Sequence, residues 1–163
     1  MNKALTAIPG NPEAILQVRE ACRRMVRNRA AVSAGISALP VPGLDVMSDL
    51  TMLTGLVNDV NAAFGLSAEQ VEHLQPTYKR IVFGAAAGVG GMMVGKLITR
   101  QLALRLLKRS GGKAFVRSAA RFVPLAGQVA SAAIGFTVFR KLGYDHVDAC
   151  ATVARELLAA RAV

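Results

Sequence analysis

Apolar and polar positions along this 163-residue chain recur at helical spacing, and no strand-like alternation lasts more than a few residues. Asn11-Pro12-Glu13 reads as a helix start, with Asn as N-cap and Pro at the first helical position. The helix it opens is predicted to run to about residue 39. Its first half carries Arg19, Arg23, Arg24, Arg27 and Arg29, and its second half, AAVSAGISAL, is apolar all round. The spacing therefore predicts passage from an exposed basic region into a buried one. Pro40-Val41-Pro42-Gly43 ends that helix. A second helix is predicted over 44–64, with Leu50, Leu53, Val57 and Val60 on one stripe and Gly65 as its C′ residue. Ser67-Ala68-Glu69-Gln70 fits a capping box that opens a third helix, which Pro76 kinks or divides.

From residue 77 a long helical segment is predicted through the glycine-rich stretch to about residue 109, followed by a turn at Ser110-Gly111-Gly112. A short basic helix over 113–122 is interrupted by Pro124. An apolar helix over 125–142, closed by Gly143, and an amphipathic helix over 145–160 complete the chain. The expected fold is all-α: a compact bundle of about six helices built from two apolar helical hairpins. Residues 1–10 read as a flexible tail and 11–163 as a single helical domain.

Composition agrees with the pattern. Hydrophobic residues make up 53% and charged residues 18%, below the roughly 25% usual in soluble domains. Only 5% are aromatic and the apolar mass is mainly Ala, Val and Leu with many glycines, which suits closely packed helices rather than a β-sandwich. Cys22 and Cys150 form neither a metal pattern nor a redox CxxC pair, so reduced thiols are the default, with a single disulfide left open. The apolar run after Lys3 is cut by Pro9, Gly10 and Pro12, so no cleaved export signal is expected.

Charge changes the picture more. The net charge is +10, and no acidic residue lies between Glu72 and Asp145. That interval holds Lys79, Arg80, Lys96, Arg100, Arg105, Lys108, Arg109, Lys113, Arg117, Arg121, Arg140 and Lys141. Such a block repels itself in isolation and becomes favourable beside acidic lipid headgroups, an acidic partner or nucleic acid. The expected anionic-surface residues are Lys96, Arg100, Arg105, Lys108, Arg109, Lys113, Arg117 and Arg121, the last three spaced four apart on one helix face.

The stretch GAAAGVGGMMVGKLI, residues 84–98, imitates a phosphate-binding loop: Gly90, four residues, Gly95, Lys96. Such a loop needs a buried strand before it and a Ser or Thr after the lysine to hold magnesium. Leu97 follows the lysine, and only Ile81, Val82 and Phe83 are available as a strand. A helix-packing role accounts for more of the same residues. Gly84 with Gly88, and Gly91 with Gly95, make two GxxxG pairs, and Gly127, Ser131 and Gly135 form a matching small stripe in LAGQVASAAIGFTVF. These seven residues are the expected helix-packing set.

The uncharged stretches 81–95 and 122–139 would reach about 22 and 27 Å as helices, against a bilayer core of roughly 30 Å. Basic residues flank both. A shallow hairpin, or a helical core docking its basic face, fits these lengths better than two full crossings. Gln128 and Thr137 are expected to bond to a neighbouring helix.

A family resemblance follows from these residues. ALPVPGLDVMSDLTMLTGLVNDVNAAFGLS, residues 38–67, resembles the opening of the YcjF-type helical domain of unknown function: Pro40, Pro42, Asp45 and then Phe64-Gly65. Arg121, Pro124, Gly127 and Thr137 match its second element. The resemblance covers roughly residues 28–145, and the EcsC-type family is similar over the same stretch. It implies an all-α, membrane-associated module with no catalytic residues to carry over, on the cytoplasmic side of a bacterial inner membrane. Fused members carry a Ras-like GTPase domain, so a separate GTPase is the expected partner for this chain.

His73 and His146 stand alone, without HExxH spacing, and exposed or capping roles are expected for them. Asp45 and Asp49 fit the positive end of a helix better than acid–base work. No Ser occupies a GxSxG elbow. The expectation is a non-enzymatic scaffold or regulator with no cofactor, metal or small-molecule substrate, engaging an anionic membrane surface and a protein partner, with homo-oligomers admitted. The alternatives are a soluble, cytoplasmic basic domain that binds nucleic acid or an acidic protein, and a pore-forming or secreted effector.

Overall fold

The computed structural model describes residues 8–37, 44–89, 94–95 and 124–162; the side chains of 36–37, 44–50, 124–132, 134 and 135 are not among them. All regular structure among the described residues is α-helical: α1 (Pro12–Ser37), α2 (Leu44–Ala63), α3 (Ala68–Glu72), α4 (Pro76–Gly88) and α5 (Pro124–Arg161).

Local chemistry sets the first boundaries. The Ala14 amide donates to Asn11 Oδ1 at 2.7 Å, which makes Asn11 the cap of α1 with Pro12 behind it. At the end of α2, Gly65 takes φ 71°, its amide donates to the Ala62 carbonyl at 3.0 Å, and the Leu66 amide donates to the Asn61 carbonyl at 2.8 Å. This is a Schellman motif, and the buried Leu66 supplies its apolar contact. The capping box of α3 is closed: the Gln70 amide donates to Ser67 Oγ at 3.2 Å and the Ser67 amide to Gln70 Oε1 at 2.9 Å. Pro76 divides rather than kinks, standing at the start of α4 after Gln75.

Three long helices make the core. Rising numbers on α1 meet falling numbers on α5: Arg19 bonds Asp148, Arg23 lies over Tyr144, and Val26 faces Gly143. The two helices are therefore antiparallel. α2 joins them through Leu56 against Gly143 and an Arg29–Asp59 ion pair to α1. The buried stripe of α1 is Ile15, Cys22, Val26, Ala30 and Ser33, and that of α2 is Leu53, Leu56, Val57 and Val60, ending on Phe64. Burying each of these large aliphatic side chains contributes on the order of 2 kcal/mol.

Four expectations are corrected. The tail is not loose up to residue 10, because Ile8 is 2% exposed and belongs to the core. The apolar second half of α1 is not buried all round: Ala30 and Ser33 are, but Ala31, Val32 and Gly35 are exposed. The helix begun near residue 77 does not continue through the glycine-rich stretch. It ends at Gly88 with Val89 as its cap, and Val94-Gly95 lies in a turn with Gly95 at φ 68°. Repeated glycines weaken a helix by about 1 kcal/mol each against alanine, and Gly95 is drawn into a left-handed turn instead. Last, Gly143 closes no helix, since α5 runs unbroken for 38 residues through it. No helix among the described residues is long and apolar enough to cross a membrane.

Candidate functional site

A buried polar cluster lies where α2 touches α5. Asn61, His146 and Cys150 are 1%, 3% and 0% exposed, so their partners must come from within the protein. His146 Nε2 lies 3.1 Å from Asn61 Oδ1, and Cys150 Sγ lies 3.4 Å from the same oxygen and 3.5 Å from Nε2. An amide oxygen only accepts, so Nε2–H and the Cys150 S–H both donate to it, which fixes His146 as the Nε2–H tautomer. Nδ1 is then a bare acceptor, buried without a donor. A backbone hydrogen bond with Val57 pulls the imidazole pKa up a little. Burial dominates that small pull and holds the imidazole pKa down to about 4.

The helices build this cluster from the backbone outwards. The carbonyl of Asn61 closes the Schellman turn, which pins its side chain at the end of α2. His146 and Cys150 are four apart on α5, in the stripe that holds Gly143, Val147, Ala154 and Leu157. Cys22 of α1 is also buried, both thiols are free, and burial raises the pKa of each. Cys150 is pushed further up by the negative charge a Cys22 thiolate would bring. The trio matches the residue types of a Cys–His–Asn nucleophile set, but here the thiol and the imidazole are sealed in the core, where a substrate does not reach them. The cluster specifies how α2 and α5 meet. His146 is thus neither exposed nor a cap. The available signal is its place beside Val147, Cys150, Ala154 and Leu157 on the apolar stripe of the helix predicted over 145–160. His73 does sit at a helix end, its Nδ1 2.7 Å from the Glu69 carbonyl and its backbone capping α3.

The glycine set divides. Gly84 and Gly88 are exposed, and a Cβ at either would meet nothing within 4 Å. With Ile81, Ala85 and Val89 they line one wall of a hollow of about 380 Å³, whose other wall holds Thr152 and Glu156. Among the described residues these two glycines open towards the C-terminal half of α5. Gly95 does pack closely, but as a turn: a Cβ there would lie 3.3 Å from Val71 Cγ2 and 3.4 Å from Val82 Cγ1. Ile81, Val82 and Phe83 are helical and Gly95 is buried in this turn, while Gly90 and Lys96 of the phosphate-loop-like stretch lie outside the described residues. Gly91 lies outside the described residues, as do Lys96, Arg100, Arg105, Lys108, Arg109, Lys113, Arg117 and Arg121. Gly127, Ser131 and Gly135 belong to α5, with their surroundings outside the described set. The side chains of Asp45, Asp49 and Gln128 are likewise outside it. Thr137 does not reach across to another helix; its hydroxyl donates to the Ala133 carbonyl of its own helix at 2.8 Å.

Arg19, Arg23, Arg29, Lys79 and Lys141 make ion pairs on the surface. Asp148 accepts from Arg19 Nε at 2.8 Å and from Arg23 Nη2 at 2.9 Å, while the Arg23 guanidinium lies 4.9 Å from the centre of the Tyr144 ring. Lys79 pairs with Glu72 and Lys141 with Asp145. All ten acidic residues of the chain, and only eleven of its twenty basic ones, lie in the described elements. The other nine basic residues are Lys3 and the eight from Lys96 to Arg121.

No family model, curated protein or solved structure matches the chain.

Proposed function

We propose that this chain is a non-enzymatic helical module that docks on the anionic, cytoplasmic face of a bacterial inner membrane and serves a partner protein there. The carrying observation is the division of charge. The described helices hold eleven basic and ten acidic residues, close to neutral, while residues 96–121 hold eight basic residues and no acid. A nearly neutral packed core joined to a concentrated cationic stretch is the arrangement that gains most from an anionic surface, at about 1 kcal/mol per Lys or Arg brought to it. The end of α4 at Gly88 favours docking over insertion, since 81–95 is not one continuous helix. In this reading the basic helix over 113–122 completes a bundle of about six, with the small-residue stripes among its packing faces. The YcjF-type likeness supports a scaffold or regulator working with a separate GTPase.

The test is co-sedimentation with vesicles. The full chain should pellet with phosphatidylglycerol-containing vesicles, stay in solution with phosphatidylcholine alone, and be released by high salt. Replacing Lys108, Arg109, Lys113 and Arg117 with Gln should abolish pelleting without altering the helical circular dichroism. Pelleting that ignores lipid charge would sink this function. Salt-sensitive capture of DNA or RNA without vesicle binding would replace it with the nucleic-acid reading.

A further inference from the structure

α4 turns an apolar side to solvent. Phe83 and Val89 are two of the four exposed large hydrophobics among the described residues, and they lie on this one 13-residue helix and its cap. Arg80, Phe83, Gly84, Ala87 and Gly88 are all exposed, and at about 100° per residue they share one side of α4. Val82 and Ala86 are buried on the other side. Ile81 and Ala85, half-buried, carry the surface from the two glycines round to the hollow against α5. Across that hollow stands Glu156, exposed and without an ion pair among the described residues. Its isolation sets it apart. Glu20, Asp59, Glu72, Asp145 and Asp148 are paired, and Glu13 and Glu69 stand in the first turns of α1 and α3, where the helix dipole favours a carboxylate. Arg80, one turn before Gly84, is likewise without an ion pair among the described residues. The face thus carries one free cation and one free anion on apolar ground, and such a patch is complementary to its own copy turned about a two-fold axis.

We infer that this face joins two copies of the chain, with Arg80 of each copy reaching Glu156 of the other. An antiparallel copy that crosses at Gly84 carries its own Arg80 over Gly88, because four residues along one helix run against four along the other. Gly88 lines the hollow and has no side chain, so the guanidinium passes over it towards the carboxylate. Burial of Phe83 and Val89 supplies the apolar gain, and the two symmetric ion pairs set the register. The close crossing gives Gly84 and Gly88 a role in a helix that each weakens by about 1 kcal/mol against alanine. Alanine still fits at such a crossing and leucine does not. The contact uses none of the basic residues from Lys96 to Arg121, so it stands or falls apart from the docking function.

Sedimentation equilibrium of the full chain over a concentration series, without lipid, decides it. The parent should pass from monomer to dimer as concentration rises. Arg80→Glu and Glu156→Arg should each weaken the dimer at least tenfold, since every reversal sets like charges together at two symmetric places. The double variant with both reversals should recover the parent's dissociation constant. Gly88→Leu should also hold the chain monomeric. A Cβ at 88 meets nothing within 4 Å inside one copy, so that variant should keep or gain stability while it blocks the second copy. All four variants should retain the parent's helical circular dichroism. A parent that stays monomeric at every concentration overturns the dimer. So does a dimer that ignores Gly88→Leu, or one that the double reversal fails to restore, because the two charges would then not meet.

Discussion

Gly143 has no side chain because Val26 occupies the space where one would be. A Cβ at 143 would sit 2.6 Å from Val26 Cγ1, 2.9 Å from Val26 Cγ2 and 3.3 Å from Leu56 Cδ2. The glycine thus lets α1, α2 and α5 approach at one point, near the middle of a 38-residue helix. Val26 is itself β-branched and fully buried, so neither methyl can swing away cheaply.

Gly143→Ala is therefore expected to destabilise the protein by about 1–3 kcal/mol, because overpacking outweighs the roughly 1 kcal/mol gained in helix propensity. Gly84→Ala is the control. Gly84 lies in α4 with nothing within 4 Å of its would-be Cβ, so there the propensity gain should appear alone, at up to about 1 kcal/mol. Urea denaturation of the two variants checks both signs. A Gly143→Ala protein as stable as the parent would mean that the three helices do not meet this closely. Val26→Ala should recover part of the loss in the double variant.

The two glycines also show what was legible in the sequence. Asn11-Pro12, Phe64-Gly65-Leu66 and Ser67-x-x-Gln70 act within one turn of themselves, and each does locally what its residues dictate. Gly84, Gly95 and Gly143 depend on what another element places against them, which spacing along one strand of sequence does not contain. Gly143 reads as a helix end from its sequence neighbours, and only the Val26 side chain shows why a glycine stands there. The buried cluster needs the same kind of information: His146, Val147, Cys150, Ala154 and Leu157 share a stripe within 145–160, but nothing in that spacing says that Asn61 of α2 is placed against it.

Asn61 Oδ1 accepts from both His146 and Cys150. Asn61→Ala strands two donors in a dry core and should cost about 2–4 kcal/mol, the upper part of the range for losing buried partners. Asn61→Asp should behave differently. A carboxylate at the same place would favour the charged imidazole and raise the pKa of His146, which an NMR titration of the ring protons would follow. An unchanged titration in the Asp variant would mean that the two side chains do not meet.

Both thiols are buried and their pKa values are raised, so neither should react with a water-soluble disulfide reagent while the protein is folded. Two thiols should be counted in denaturant. The rate in native buffer should follow the opening equilibrium, and Gly143→Ala should accelerate it in proportion to its lost stability. Rapid reaction of either thiol in the parent would contradict the packing of α1 on α5.

Acid should weaken the fold through His146. Its pKa is lowered from 6.5 to about 4 on folding, so between these values the unfolded chain binds a proton that the folded chain refuses. Stability from this group is whole above pH 6.5, falls as pH drops towards 4, and changes no further below that. The full effect is on the order of 3 kcal/mol at about 1.4 kcal/mol per pKa unit. Carboxylates titrate over the lower end of the same range, so the comparison must be with His146→Gln. That variant should be less stable than the parent at pH 7, and its urea midpoint should fall less between pH 6.5 and 4.5. Parallel curves for the two proteins would show that the imidazole is open to protons in the folded state. The Asn61–His146–Cys150 contact would then not be the closed junction of α2 and α5 described above.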